Sequence, residues 1–221
     1  MESPPPELTL LGGFELRLGP RTVALPAPAQ RVLAFLALAD RPVERSHLAG
    51  TLWLDATEEH AAGSLRSALW RIRRVAPGAV AEASRRLALS PAVEVDVRRA
   101  VAWAGRVCGE GPLAQEDVDE GIGLGDLLPD WYEDWVLIER ERLLQLHLHA
   151  LERLCERLAE TGRFGPAIEV GLAAVRHDPL RQSAHRAVMR AHLAEGNRGE
   201  ALRQQALYRT LVTGSGRRVG R

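Results

Sequence analysis

Three small residues recur at a fixed interval near the end of this chain. Gly162, Gly165 and Ala167 return 34 positions later as Gly196, Gly199 and Ala201, and Ile168 returns as Leu202. An interval of that length holds two helices and a turn, and little else. The residues between the copies agree. Apolar positions at helical spacing predict helices over 165–176, 180–194 and 199–212, and Asp178-Pro179 breaks the first from the second. A longer helical run over 127–160 precedes them. It carries two apolar stripes, one through Leu144, Leu148, Leu151, Cys155 and Leu158, the other through Leu143, Leu146, Ala150 and Leu154. A helix that is apolar on two sides is packed on two sides.

A 34-residue period of helix pairs is the signature of tetratricopeptide repeats. Two unrelated helical hairpins with similar turns are the alternative reading. The first hundred residues look different. Short apolar runs at 8–11, 14–18 and 22–25, separated by Gly12-Gly13 and Gly19-Pro20, predict a small antiparallel sheet. Helices are predicted over 28–39, 45–53 and 58–75, the last capped by Thr57 with Glu58 and Glu59 in its first turn. Strands at 80–83 and 86–89 flank Ser84-Arg85, and a further strand at 93–97 closes the segment. Two closely joined helices ahead of a long third form a helix-turn-helix, and the hairpin after them is a wing. The predicted fold is mainly α with a small β component. It is an N-terminal winged helix-turn-helix with an added antiparallel sheet, followed by an all-α tetratricopeptide-like domain. The expected boundaries are a disordered tail at 1–7, a winged helix at 8–98 and helical repeats at 99–213. An acidic connector is expected at about 109–126, and a flexible tail at 214–221.

Charge sharpens this division. Lys and Arg total 29, as do Asp and Glu, so the net charge is zero. Every basic residue is arginine. Residues 64–86 carry six arginines against Glu82 alone, whereas residues 110–134 carry nine acids and no base. A compact basic stretch in a neutral chain still attracts DNA, because the local field matters more than the sum. A solvated arginine-rich helix is the plainer reading of the same residues.

Several motifs resemble one family. Leu10-Leu11-Gly12-Gly13-Phe14-Glu15-Leu16 with Gln30-Arg31-Val32-Leu33 resembles the start of the Streptomyces antibiotic regulatory protein (SARP) family. Ala49-Gly50-Thr51-Leu52-Trp53, the apolar positions at 65–69 and Arg71-Ile72-Arg73-Arg74 resemble its helix-turn-helix, and Val95-Asp96-Val97 its closing strand. Leu128-Pro129-Asp130-Trp131, Glu139-Arg140-Glu141-Arg142-Leu143, Asp178-Pro179-Leu180-Arg181 and Ala184-His185-Arg186 resemble its second half, the bacterial transcriptional activation domain. The resemblance spans about residues 8–213. It implies a transcriptional activator of the family's short form, whose winged helix binds direct repeats in promoter DNA. It also implies that the helical half mediates self-association, as a homodimer on DNA, and that the protein recruits the RNA polymerase holoenzyme. The wing turn Ser84-Arg85-Arg86, often glycine-rich in the family, and Trp70, at an often small or polar position, depart from the pattern.

At 100° per residue along the third helix, Leu65, Leu69, Ile72 and Ala76 share a buried face, with Ala68 beside them. The opposite face holds His60, Gly63, Ser64, Ser67, Trp70, Arg71 and Arg74. The major groove admits a helix, and arginine donates two bonds to guanine O6 and N7. Ser67, Arg71 and Arg74 are therefore expected to face the groove, with Ser64 short enough to allow close approach. Arg66 and Arg73 lie on the flanks, suited to phosphates. Arg85 and Arg86 at the wing tip suit the minor groove or its phosphates. Phosphate contact alone is the alternative for Arg71 and Arg74. Trp70 is expected to pack on the sheet or wing. Trp131, Tyr132 and Trp135, ringed by acids, are expected either to anchor the long helix in its core or to meet a partner protein.

No catalytic, metal or cofactor site is expected. The histidines and cysteines lack ligand spacing, Gly121-x-Gly123-x-Gly125 has no preceding strand, and no lysine exists for a phosphate-binding loop. Cys108 and Cys155 make no disulfide framework and read as ordinary helix residues. Without a signal peptide or a membrane-spanning run, a cytoplasmic, nucleoid-associated bacterial protein is expected. A protein-binding adaptor whose winged helix does not bind DNA is the alternative function.

Overall fold

The computed structural model describes residues 5–216, so the expected ends at 1–4 and 217–221 lie outside the described residues. The chain forms two compact units. Residues up to Arg99, together with Gly125–Arg140, make the first; Ala100–Leu124 and the residues from Glu141 onward make the second. Neither unit is contiguous in sequence, which departs from a single boundary near residue 98.

In the first unit, β1 (Pro6–Thr9) pairs antiparallel with β2 (Glu15–Leu18), placing buried Leu8 opposite buried Leu16. β3 (Arg21–Thr22) extends that edge. The first strand thus begins inside the expected tail. The helical core follows as α1 (Ala27–Ala39), α2 (Arg45–Leu52) and α3 (Glu58–Val75). Pro28 sits in the first turn of α1, where its missing N–H costs nothing. Left-handed Asp40 ends that helix. Between α1 and α2 lies β4 (Val43–Glu44), a two-residue strand too short to leave a periodic signal. It pairs with β6 (Arg86–Leu89), which forms the wing hairpin with β5 (Val80–Ala83). Ser84, at φ 56°, occupies the left-handed turn position.

β7 (Glu94–Val95) returns to the first sheet and lies parallel to β1, Val95 beside Leu8, with all three helices in the crossover. Directly after it, the Asp96 carboxylate accepts the backbone N–H of Leu10 at 2.9 Å and of Leu11 at 2.8 Å, and that of Val97 at 2.7 Å. The Val95-Asp96-Val97 motif thus ties the end of the winged helix to its start. Burial pushes the Asp96 carboxyl above the ordinary carboxylate range, against the three backbone donors that favour its charged form.

Residues 125–140 complete this unit. Leu128 N–H donates to the Leu10 carbonyl at 2.9 Å and Gly12 N–H to the Asp126 carbonyl at 2.8 Å, with Leu127 bridged to Leu11. Leu127 and Leu128 are buried. The Arg140 guanidinium gathers the carbonyls of Leu127, Leu128 and Trp131. Trp131 stacks on Phe14, centroids 6.1 Å apart, and Trp135 meets Phe35 edge-on at 5.2 Å. These tryptophans therefore belong to the winged-helix unit and not to the core of the helical repeats. The long helix starts only at Asp134, so the predicted run from residue 127 was seven residues too long.

The second unit is built from α4 (Asp96–Cys108) beyond its first turn, α5 (Gln115–Ile122), α6 (Asp134–Glu160) from Glu141 onward, α7 (Phe164–His177), α8 (Gln182–Glu195) and α9 (Arg198–Gly216). α5 lies within the stretch expected to be a connector. Its Asp117 carbonyl accepts the indole N–H of fully buried Trp103 at 2.8 Å. α7 packs on α8 and α8 on α9. The sequence repeat is a repeat of structure: Gly162 and Gly196 both end a helix with positive φ, 75° and 93°, which side chains rarely adopt. The Asp178-Pro179-Leu180-Arg181 motif builds the α7–α8 turn. Asp178 accepts the Leu180 N–H at 3.1 Å, and Arg181 pairs with Glu152 at 2.6 Å. His185 donates from Nε2 to the Pro179 carbonyl at 3.0 Å, leaving Nδ1 to accept from Gln204 of α9 at 2.9 Å. Cys155 sits in the core of this unit, its thiol pushed up to about 12 by burial. No helix of the described residues is long and apolar enough to cross a membrane.

Candidate nucleic-acid interface

α3 presents its exposed side because its apolar residues fall on the other. Leu65, Ala68, Leu69 and Ile72 are buried, and Arg66, Ser67, Trp70, Arg71, Arg73 and Arg74 are exposed. Ser64 is half-buried. Thr57 caps the helix, accepting the His60 N–H at 3.4 Å. Its hydroxyl also lies 2.7 Å from His60 Nδ1, which orients the ring. His60, Ser64, Ser67 and Arg71 form one column along the helix and line a groove facing Pro26 and Pro28 of the α1 start. His60 belongs with the candidate residues; the sign in the sequence is a capping threonine three positions before a histidine on the polar face.

The arginines divide into two groups. Among the described residues, no ion pair engages the guanidinium of Arg66, Arg71, Arg74 or Arg85, although Arg74 lies over the Trp70 ring at 5.5 Å from its centroid. Arg73 is paired with Glu82 of β5, which also holds Arg45 of α2 at 2.9 Å. Arg86 is paired with Glu44 at 3.0 Å. Trp70, expected to pack on the sheet or wing, is 55% exposed, and its ring carries Arg74.

A second surface lies on the same unit. Tyr132, Leu54 and Ile138, at 77%, 76% and 68% exposure, are the three most exposed large apolar residues among those described. All three line one groove, together with Asp55 and Asp134.

A winged helix-turn-helix followed by helical repeats is the architecture of a two-part transcription regulator. The bacterial transcriptional activator domain family matches residues 70–215, well over half of the chain, and the chain belongs to that family. This is the activation domain of the SARP-type regulators that the sequence resembles. The family is one of transcription regulators and is not an enzyme class. Among solved structures, the chain is similar to Mycobacterium tuberculosis EmbR, which was solved in complex with a low-affinity phosphopeptide. The TM-score is 0.75 and the identity 21%, over 96% of this chain and 61% of that one. The chain thus spans about three-fifths of the length of that relative. None of the curated proteins matches the sequence.

Proposed function

We propose that the protein is a sequence-specific DNA-binding transcriptional activator that binds promoter direct repeats and recruits RNA polymerase. The observation that carries this reading is the set of arginines without ion-pair partners on α3 and the wing, Arg66, Arg71, Arg74 and Arg85, set among the small residues Ser64 and Ser67. Ser67, Arg71 and Arg74 read bases in the major groove. Arg66 meets phosphates, and Arg85 and Arg86 follow the wing to the next groove, while Arg73 is held by Glu82. Self-association on adjacent repeats supplies specificity that one winged helix lacks. The groove around Leu54, Tyr132 and Ile138 supports a protein contact by the same unit, as recruitment requires. Such a protein works in the cytoplasm, at the nucleoid. A gel shift with genomic fragments at two salt concentrations tests the reading. Specific binding should fall steeply with salt, by roughly 0.9 in the log–log slope for each phosphate neutralised. Binding to a partner protein with no DNA shift at either salt would favour the adaptor reading instead.

A further inference from the structure

The basic stretch of residues 64–86 contains a single acid, Glu82, and that acid joins three elements. Glu82 stands on β5; one carboxylate oxygen meets Arg73 of α3 and the other meets Arg45 of α2 at 2.9 Å. The carboxylate is 30% exposed, so it is neither sealed off nor fully solvated. A salt bridge this exposed contributes little to stability. Its geometry matters more. It fixes the wing hairpin to the recognition helix on one side and to α2 on the other, while the Arg45 N–H donates to the Arg85 carbonyl at 2.9 Å at the tip. It also withholds two arginines from phosphate.

We infer that Glu82 sets the ratio of specific to non-specific DNA binding, as a positioning residue that neutralises Arg73 and Arg45 and holds the wing in register with α3. The inference rests on the DNA-binding reading above. Non-specific binding is governed by charge, whereas specific binding also needs the wing and helix at one fixed separation. An acid at this junction therefore weakens the first more than the second.

The test compares Glu82→Gln, Glu82→Asp and Glu44→Gln by titrating the full chain onto the genomic duplex that the unsubstituted protein selects most tightly in the gel shift above and onto unrelated duplex of equal length, across a salt series. Glu82→Gln should tighten non-specific binding and steepen its log–log salt slope by roughly 0.9 for each arginine released. The specific-to-non-specific ratio should fall roughly tenfold, since the promoter complex gains the same charge but loses the fixed wing. Glu82→Asp, which keeps the charge, should recover the salt slope and much of the ratio. Glu44→Gln frees Arg86 without spanning wing and recognition helix, so it should tighten both complexes alike. Thermal melts of all three confirm that the fold is kept. An unchanged slope and ratio in Glu82→Gln overturns the inference, as does an equal loss of ratio in Glu44→Gln, which would reduce the effect to bulk charge. If the unsubstituted protein binds neither duplex, it is the DNA-binding reading itself that fails.

Discussion

Arg71 and Arg74 both leave the exposed side of α3, yet they meet different surroundings. Arg71 borders the groove beside His60 and Ser67, and Arg74 covers the Trp70 ring. Arg71→Ala and Arg74→Ala should each weaken specific binding by about 1–3 kcal/mol while leaving the melting temperature nearly unchanged, as competition gel shifts and calorimetry would show. Equal binding by both variants and the parent would refute the placement of the groove-facing side. His60→Ala should behave like Arg71→Ala if the column acts as one surface. Asp96 makes a different kind of prediction. Its folded-state carboxyl is raised, so its contribution to stability is complete below about pH 4 and is lost as pH rises through the raised value. Asp96→Asn lacks that loss. The stability of the variant relative to the parent, from urea midpoints, should therefore improve as pH rises from 4 to 7. The exposed face of α3 was legible because a 3.6-residue period alone decides it. The capture of Arg73 by Glu82 was not, because it depends on how a hairpin nine residues downstream folds back.

Single elements show where periodicity is strong and where it is silent. α3 is recognised from end to end, because its cap, first-turn acids and apolar face agree. α5 escapes notice because its eight residues, four of them acidic and one a glycine, have little helix signal of their own. It is held by Trp103 from α4 and by its Asp117 side chain accepting the Ala114 N–H at 3.0 Å. Leu69, 2% exposed on the inner side of α3, should cost about 2–5 kcal/mol on truncation to Ala, read as a lowered urea midpoint. Gly171 of α7 tests the helical unit in the same way. A Cβ there would stand 2.6 Å from Val188 Cγ2 of α8 and 3.0 Å from the Cys155 sulfur of α6. Gly171→Ala should thus destabilise by about 1–3 kcal/mol through overpacking, although Ala is the better helix former. The 34-residue repeat was readable because Gly162 and Gly196 mark helix ends at positive φ, which other residues rarely adopt.

At the scale of the molecule, the two-part organisation is visible in composition, but the return of residues 125–140 to the first unit is not. That segment reads as the continuation of an acidic, helical stretch, and only long-range pairing with Leu10 and Gly12 reveals its place. A chain ending at residue 99 should therefore fold poorly. It lacks buried Leu127 and Leu128, each worth about 1.5–3 kcal/mol, and leaves Phe14 and Phe35 uncovered. A chain ending at residue 140 restores them, and amide dispersion in NMR spectra distinguishes the two. On DNA, direct repeats about 10–11 base pairs apart place two recognition helices on one side of the duplex. Inserting half a turn should abolish two-protomer binding, and a full turn should partly retain it, as measured by gel shift. The interleaved first unit also sets a clock on synthesis. Ribosomes add about 5–20 residues per second, so a winged helix synthesised as far as residue 99 waits roughly 2–7 s for Leu128 and the two tryptophans. During that interval the nascent winged helix is an unfinished core. A codon-driven pause inside residues 100–140 would lengthen the wait and favour aggregation or degradation, while one placed after residue 170, with the segment clear of the exit tunnel, would leave it untouched.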